Sequence, residues 1–434
     1  GILNIQNRGF NSVVAPAAEQ SFNNVNCAFC GQCTLVCPVD AIKEKDYTEK
    51  VWNALYDKDR RVIVQTAPAI RAALGEEFDY EPGTLVTGKM VSALREIGFS
   101  DVFDTNFAAD LTIIEEGNEF LQRLIGKYRD GKDIPLPMIT SCSPGWIKFI
   151  EHEFPDYLGH LSSCKSPHMM LGALLKTYYA NKIGVKPENI FVVSIMPCTA
   201  KKYEIARPEM RASGFQDVDA VLTTRELARM IKEAGINFKK LSDGSFDDPL
   251  GYSTGAADIF GVTGGVMEAA LRTVYEIVTG RELPFENLHV KPIVGLDRIK
   301  EAEIEIKETT PEYSFLKGIK LKIAVTSGLV GARMLMEQAA SGKSPYHFIE
   351  VMGCPGGCIS GGGQPRPTNN EIRQKRLEAI YKEDEGKPKR KSHENPFIIQ
   401  LYKEFLGEPL GHKSHELLHT HYIKRGKYNH QFKN

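Results

Sequence analysis

The segment IFVVSIMPC, residues 190–198, has apolar side chains on both of its alternating faces and ends on a cysteine. A strand that is apolar on both faces is typical of the interior of a parallel sheet that helices cover on both sides. The segment therefore predicts a buried parallel strand that carries a thiol at its carboxyl end.

Similar short runs rich in β-branched residues recur before and after this segment. They are residues 61–67, 101–105, 137–142, 220–224, 322–328 and 346–354. Helical stretches such as GKMVSALREIG and TRELARMIKEAG lie between them. Alternation of this kind predicts an α/β fold with mostly parallel sheets flanked by helices.

Two further runs, PMITSC and YHFIEVMGC, also end on cysteine. In open α/β sheets, ligands bind beyond the carboxyl ends of the strands. Three strands that end on cysteine therefore predict one shared site between sheet edges.

The composition excludes several function classes. The 434 residues leave room for two or three domains, and 54 Lys and Arg against 55 Asp and Glu argue against a general nucleic-acid binder. We find no apolar run of membrane-spanning length and no signal peptide. The chain begins without Met, so we expect a cut edge of a longer chain or a processed product.

Four of the nine cysteines form a compact run near the amino end: Cys27, Cys30, Cys33 and Cys37, followed by Pro38. The spacing C-x2-C-x2-C-x3-C-P is that of a bacterial ferredoxin and predicts a [4Fe–4S] cluster. A structural zinc site usually has two separated pairs of ligands, so zinc is disfavoured. Two readings of Cys37 stay open: it closes its own cluster, or it serves a second cluster whose ligand run precedes residue 1.

Three longer motifs complete the pattern: TSCSPGW (140–146), MPCTAKKYE (196–204) and EVMGCPGGCISGGGQP (350–365). The chain closely resembles the [FeFe]-hydrogenases, whose signature segments have the forms TSCCPxW, MPCxxKxxE and ExMxCxxGCxxGGGxP. The resemblance extends from the ferredoxin-like run to the tail segments RKSHENP and HELLHTHY. It implies reversible reduction of protons to H2, with H2 and protons as substrates.

The resemblance also implies the cofactor, an H-cluster. A [4Fe–4S] cubane in that family is bridged by one cysteine to a two-iron unit that carries CO, CN⁻ and an azadithiolate. Matched by motif, Cys198 and Cys354 are cubane ligands, Cys358 is the bridging ligand, and Ser143 occupies the position of the fourth. A serine oxygen is a harder donor than the sulfur that such clusters favour.

Three outcomes stay open at Ser143: ligation as an alkoxide, a labile or incomplete cluster, or replacement by the neighbouring Cys142. We expect weakened or absent activity relative to a protein with two cysteines here, and we interpret the chain as an engineered or divergent variant.

A proton route is implied in the same way. In the family, two glutamates, a serine and a cysteine connect the surface to the cluster. Their matches are Glu116, Glu119, Ser162 and Cys142, with Arg123 near the outer end. Glu116 and Glu119 are three residues apart, so they share one face of the predicted helix.

Other matched residues surround the two-iron unit. Lys201 is expected to hydrogen-bond one cyanide, and the backbone of Ala67 and Pro68 the other. An apolar wall is expected from Met196, Phe260 and Met352. Ala69 and Ala200 replace serines of some family members, and His168 replaces a common Gln, either near the cluster or as packing.

The resemblance implies a two-lobed H-cluster domain with three parts to the chain. We predict a truncated ferredoxin-like module at 1–50, a catalytic domain at 51–370 and a helical small-subunit-like segment at 371–434. The expected partners are ferredoxin or a similar electron carrier and maturation proteins for the two-iron unit, with no nucleic acid and no membrane. The expected location is the cytoplasm of an anaerobic organism or an anaerobic organelle.

Two alternatives remain, a non-catalytic iron–sulfur assembly factor and a hydrogen sensor. The retained Lys201, Cys142 and glycine-rich GGGQP loop favour the enzyme. Smaller expectations are a buried structural Cys164, a solvated charged loop at 384–391, and no metal site at the tail histidines His415, His419 and His421, since no carboxylate or thiol of obvious spacing joins them.

Overall fold

The computed structural model of the chain describes residues 2–426. Residue 1 and residues 427–434, which belong to the predicted amino-terminal module and tail, lie outside the described residues.

Short strands alternate with helices from residue 61 to residue 352, as the pattern predicts. The strands are β1 Asn4–Gln6, β2 Val13–Ala15, β3 Arg61–Thr66, β4 Asp101–Asp104, β5 Met138–Ile139, β6 Ile190–Ile195, β7 Ala220–Leu222, β8 Ile299–Glu305, β9 Lys320–Ser327 and β10 Phe348–Met352. The seven predicted runs all contain strands, but β1, β2 and β8 were not predicted. β1 and β2 are three residues each, too short to show a period.

The helices are α1 Gln32–Val36, α2 Thr48–Tyr56, α3 Thr87–Ile97, α4 Thr105–Leu124, α5 Pro144–Glu153, α6 Pro167–Leu174, α7 Ala180–Ile183, α8 Lys201–Glu204, α9 Thr224–Glu233, α10 Gly255–Asp258, α11 Gly265–Thr279, α12 Leu329–Ala340, α13 Asn370–Glu385, α14 Pro396–Leu401 and α15 His412–Leu418. Their limits follow local chemistry: the Thr223 hydroxyl and the Glu226 carboxylate form a reciprocal capping box at the start of α9. Among residues 2–426, no helix has both the length and the apolar composition needed to cross a membrane.

Two separate four-stranded sheets form the two lobes. In the first, of order β4-β3-β6-β7, all neighbours are parallel. In the second, of order β5-β10-β9-β8, only the β8 edge is antiparallel. β6 and β10 are buried along their whole length, which is why their sequences are apolar on both faces. The predicted two-lobed α/β fold is confirmed.

A buried ion network joins the lobes. Arg71, just after β3, is fully buried and donates to Asp104 at 2.8 Å and to Asp258 at 3.1 Å. Asp104 ends β4 of the first sheet, whereas Asp258 ends α10, whose neighbours belong to the core of the second lobe. A guanidinium that binds carboxylates from both lobes fixes their relative position.

The expected solvated loop at 384–391 is wrong for its two ends, Asp384 and Lys391, while Glu385, Gly386 and Pro388 between them are exposed. Asp384 is fully buried and binds Arg272 at 2.8 Å and Arg390 at 2.6 Å. Lys391 is 8% exposed and binds Glu276 at 2.8 Å. The charged ends of the segment therefore supply partners to buried ions, whereas its middle faces solvent.

The predicted tail helix is shorter than its pattern. α15 ends at Leu418 because the chain then pairs with residues 163–165: Lys165 N–H donates to Leu418 at 2.9 Å and Thr420 N–H to Ser163 at 2.8 Å. Cys164 and His419 form an antiparallel bridge at this point. The pairing carries His419 into the interior, where its side chain is 4% exposed.

Candidate metal centre

The cysteine-tipped strands of the second sheet lie side by side. β5 pairs in parallel with β10, so the segments that follow them emerge from the same sheet edge. There the Gly353 N–H donates to the Ser143 hydroxyl at 3.1 Å, which sets Ser143 beside the residue before Cys354. A side chain at Gly353 would crowd this hydroxyl, since a Cβ there would lie 2.8 Å from it.

Cys198 reaches the same place from the first sheet. The loop that follows Cys358 packs on Pro197, with Gly363 N–H donating to the Pro197 carbonyl at 2.8 Å. A Cβ at Gly361 would collide with that carbonyl oxygen, so glycine is needed for the close approach. Residues from both sheets therefore meet at one site.

The pKa shifts of the cysteines also indicate that their sulfur atoms lie close together. Burial raises the pKa of the Cys354 thiol, and nearby Cys198, Cys30 and Cys358 raise it further. Burial also raises the pKa of Cys198 to about 12, against the opposing effect of Lys201. Thiols that are buried together ionise only with compensating positive charge, which iron–sulfur clusters supply.

The donor set fits a cubane with one unusual corner. The thiols of Cys198, Cys354 and Cys358 are soft donors that suit iron–sulfur clusters. Ser143 precedes α5 in an extended conformation and its side chain forms no hydrogen bond with the helix end, so the hydroxyl oxygen stays directed to the Gly353 amide. The chain thus offers three sulfurs and one hydroxyl.

Cys27, Cys30 and Cys33 lie near one another and, with Cys37, are the candidate ligands of a second cluster. Burial raises the pKa of Cys27 and of Cys33, with Cys30 contributing to both. The pKa of Cys37 is lowered instead, by the backbone N–H groups of Ile42 and Val39. Backbone amides that face a thiolate sulfur stabilise its charged form, as a cluster ligand requires.

This module lies directly on the first site. Gln32 donates to the Ser360 carbonyl at 2.8 Å, and Thr34 donates to the Gly362 carbonyl at 2.8 Å. From the other side, the Thr199 hydroxyl donates to the Phe29 carbonyl at 2.8 Å. Each bond joins the module to a loop that also carries a candidate ligand, so the two sites are neighbours.

Lys201 is buried and held by an acidic partner. Its ammonium donates to Glu204 at 3.1 Å, and the same oxygen lies 2.7 Å from His168 Nε2. The pKa of Glu204 is lowered to about 2, so its carboxylate only accepts and His168 Nε2 carries the proton, while Nδ1 accepts from the Ser194 hydroxyl 3.2 Å away. Burial lowers the pKa of His168 to about 4. His168 therefore hydrogen-bonds the carboxylate that holds Lys201, and it does more than pack against its neighbours.

The predicted proton-route residues also come together. Glu116 and Glu119 lie on α4, and Ser162 donates to Glu119 at 3.0 Å. Ser162 also hydrogen-bonds Glu116, whose pKa rises to about 8 because of burial and the charge of Glu119. Burial and the charge of Glu116 raise the pKa of Cys142. Arg123 binds the outer oxygen of Glu119 at 2.8 Å.

The remaining predicted residues are all buried. Ala67 follows β3 and donates its N–H to the Ile195 carbonyl at 3.0 Å, with Pro68 next to it. Ala69 and Ala200 are fully buried. Met196, Phe260 and Met352 belong to the two large hydrophobic cores of the lobes. Cys164 is buried, as expected.

Two groups escaped the sequence reasoning. Glu350 is fully buried, accepts the N–H groups of Gly264 and Met267 at 2.6 and 2.8 Å, and raises the pKa of Cys142 and Cys358. Glu350 is the first residue of the third motif, so the sequence could have indicated that it belongs to the site.

The second group is a cluster around His419. Ligating atoms of Glu119, Cys164 and His419 lie within 4.8 Å of one another. No carboxylate or thiol stands at an obvious sequence spacing from the tail histidines, but the fold brings Glu119 and Cys164, far away in sequence, to His419.

Comparisons with known proteins agree with this architecture. The family model described as "Iron only hydrogenase large subunit, C-terminal domain" matches residues 60–362, "Iron hydrogenase small subunit" matches 370–425, and "4Fe-4S binding domain" matches 21–43. The NADP-reducing hydrogenase subunit HndD of Solidesulfovibrio fructosivorans is 54% identical over 98% of this chain and 71% of that protein.

A solved structure and a more distant relative extend the comparison. A variant of the [FeFe]-hydrogenase HydA1 from Chlamydomonas reinhardtii superposes with a TM-score of 0.79 at 42% identity, over 88% of this chain and 100% of that one. The cytosolic Fe-S cluster assembly factor narfl of Danio rerio is 30% identical over 83% of this chain and 86% of that protein.

Fold and donor set together define an iron–sulfur protein with a ferredoxin-like module. The chain belongs to the iron-only, or [FeFe], hydrogenase family. Its cofactors are accordingly a [4Fe–4S] cluster of the ferredoxin-like module and the H-cluster of the hydrogenase domain.

Proposed function

We propose that the chain is a [FeFe]-hydrogenase that interconverts H2 with protons and electrons, with turnover reduced by Ser143. The observation that carries the proposal is the meeting of Cys198, Cys354 and Cys358 with Ser143 at one buried site that draws on both sheets. When bound, the H-cluster supplies the metal at which protons and electrons combine.

Electron entry is proposed at the cluster held by Cys27, Cys30, Cys33 and Cys37. A cleft of about 610 Å³ lies at this module, lined by Cys27, Cys30, Cys33, Lys148 and the ion pair of Arg333 with Glu153, and it supports electron entry here from a ferredoxin-like carrier. The hydrogen bonds of Gln32 and Thr34 to the glycine loop support short electron transfer between the two sites.

Proton delivery is proposed through Glu119, Ser162, Glu116 and Cys142. The raised pKa of Glu116, about 8, keeps its carboxyl protonated at neutral pH, so it can donate toward Cys142. The raised pKa of Cys142 keeps this residue a thiol that gives and regains one proton. Lys201, oriented by Glu204, is proposed to hold an anionic ligand of the two-iron unit.

We also propose the residues that surround the two-iron unit, the domain bounds and the compartment. Ala67, Pro68, Met196, Phe260 and Met352 would line the two-iron unit and exclude water. We propose residues 51–370 as the catalytic domain, 1–50 as the electron-entry module and 371–434 as the small-subunit-like segment. A reducing compartment, such as the cytoplasm or an anaerobic organelle, is supported by the nine cysteines of residues 2–426, none of which forms a disulfide.

The test compares the chain with S143C after reconstitution with iron and sulfide and loading with a synthetic two-iron precursor. We expect infrared CO and CN⁻ bands in both proteins and H2 evolution at least about tenfold faster in S143C, since restoring the thiolate restores a soft ligand. S141C, two residues away, is the matched control and should show no gain. Equal rates for the chain and S143C would contradict our account of Ser143.

A second function, iron–sulfur assembly without hydrogen chemistry, is favoured by one observation, the hydroxyl at position 143. The Danio rerio relative is named a cytosolic Fe-S cluster assembly factor, and this alternative proposes the same role for the chain. It is supported if S143C binds the two-iron unit and still evolves no H2, an outcome that rejects the hydrogenase proposal.

A further inference from the structure

The outer end of the acid chain at Glu119 is held by an arginine, and the Glu119 side chain is 14% exposed. Arg123 Nη2 donates to Glu119 Oε1 at 2.8 Å and to the Leu161 carbonyl at 2.8 Å. A guanidinium has no acceptor and stays protonated in proteins. Arg123 can therefore orient Glu119, but it cannot accept a proton from solvent and pass it on.

The other oxygen of Glu119 leads to a titratable group. Ser163 Oγ lies 3.1 Å from Glu119 Oε2 and 2.8 Å from His419 Nδ1. The single Ser163 hydroxyl proton can point to either partner, which is the arrangement that a proton relay needs. The His419 side chain is 4% exposed, so the contact is protected from bulk water.

The second nitrogen of His419 faces a carboxylate that stabilises positive charge. His419 Nε2 lies 3.0 Å from Glu115 Oε2, which also accepts the Leu410 N–H at 2.9 Å. Tyr402 donates to the other oxygen of Glu115. Burial alone would raise the pKa of Glu115, but the hydrogen bonds of His419 and Tyr402 lower it.

A path to solvent continues from His419. The ring of His415, one turn earlier in α15, lies 4.4 Å from the ring of His419, centre to centre, and His415 is exposed. The titratable groups that face His419 from the surrounding elements are Glu115, Glu119, Cys164, Tyr402 and His415.

We propose that protons enter Glu119 from solvent through His419 and Ser163, by a branch separate from Arg123. This inference rests on the proposed hydrogenase function. In the inward direction the Nδ1–H bond of a His419 imidazolium breaks and its proton binds Ser163 Oγ, while the original Ser163 proton binds Glu119 Oε2. The products are neutral His419, an intact Ser163 hydroxyl and protonated Glu119; H2 oxidation uses the reverse step.

The first test needs no two-iron unit. Protein that carries only its iron–sulfur clusters is mixed rapidly with D2O. The H/D shift of the C=O band of protonated Glu116, the carboxyl that the route supplies, is followed by infrared spectroscopy. We expect the exchange to slow at least about tenfold in H419Q and S163A, within the range that a positioned proton donor contributes. S163T, which keeps a hydroxyl, and H421Q, at an exposed histidine two residues away, should exchange at the original rate.

The second test measures H2 evolution in the S143C background. H419Q should lose activity by at least about tenfold, and free imidazole should restore it in H419Q while leaving H421Q unchanged. Thermal midpoints check that the variants fold.

Three outcomes are decisive. Unchanged H/D exchange in folded H419Q and S163A overturns the branch, as does a bound zinc ion that is lost in H419Q, since His419, Cys164 and Glu119 would then be metal ligands. Slowed exchange in proteins that evolve no H2 even with S143C supports the branch and rejects the hydrogenase function.

Discussion

Ser143 shows how one oxygen atom changes a site whose frame is otherwise kept. The backbone around it is that of a ligand position, because Gly353 N–H is directed at the side-chain atom. A thiolate in this place would accept the same N–H bond and stabilise its charge, whereas a hydroxyl accepts it and keeps its proton. The backbone at position 143 therefore suits a thiolate ligand, whereas the side chain there is a hydroxyl.

His168 makes stability depend on pH in a window that can be measured. Its pKa falls from 6.5 to about 4 on folding because the ring is buried beside Lys201. Between these values the unfolded chain binds the extra proton, so stability decreases as the pH falls through the window. The effect is at most about 3 kcal/mol. In H168Q, whose amide still donates to Glu204, the free energy of unfolding should fall less from pH 7 to pH 5.

Urea unfolding of the protein without its two-iron unit measures this slope. H412Q, which removes an exposed histidine, should keep the original slope. A slope in H168Q equal to that of the unaltered chain would mean that folding does not shift the pKa of the ring.

Motifs allowed residue roles to be assigned, but not the partners of those residues. Cys198, Cys354, Cys358, Lys201 and Glu116 stand in local patterns with fixed spacing, so their chemistry was readable. The contact of His168 with Glu204, by contrast, joins α6 to α8, 36 residues away. Spacing carries no information about such pairs, because only the packed fold sets them.

At the level of the element, α13 ends in an ion cluster that stabilises the tail segment. Asp384 accepts from Arg272 of α11 and from Arg390 just beyond the helix, in a fully buried position. Removing one partner of a buried ion pair leaves the other charges uncompensated. The end of α13 therefore depends on one carboxylate.

We expect D384N to lower the free energy of unfolding by roughly 3 kcal/mol, since two guanidinium groups lose a charged partner while side-chain volume is kept. Chemical denaturation measures the change. E378Q, at an exposed position of the same helix, should stay within about 0.5 kcal/mol of the unaltered chain. A loss in D384N no larger than that of E378Q would contradict the cluster's role.

Strands were predicted better than the ends of the tail elements. β6 and β10 are buried on both faces, so their composition alone marks them. The end of α15 is set by pairing of residues 418–420 with residues 163–165, and the helical pattern continues past it. β8 was missed because an antiparallel edge strand alternates charged and apolar residues and resembles a solvated segment.

In the whole molecule, the amino-terminal module has little core of its own. Its only helix within residues 26–45 is the five-residue α1, where Thr34 is the buried residue. Bonds such as Arg225 to Glu44 at 2.7 Å attach the module to the first lobe. Metal ligation must therefore supply much of the module's folding energy.

Removal of iron by an anaerobic chelator should increase amide hydrogen exchange at residues 26–45, while exchange at β3 and β6 stays slow. The reason is that the thiols of the module lose their common metal partner, whereas the parallel sheet keeps its own hydrogen bonds. Exchange detected by mass spectrometry separates the two regions. An equal increase in both would show that the sheet also depends on metal.

The bonds from Gln32 and Thr34 to residues 360 and 362 join parts of the chain that are synthesised at different times. The ribosome releases the ferredoxin-like cysteines first and the glycine loop that receives them more than 300 residues later. A nascent chain must therefore carry an undocked, oxygen-accessible thiol cluster while the intervening residues are translated, and cells that make this protein need to keep new chains reduced until the loop emerges.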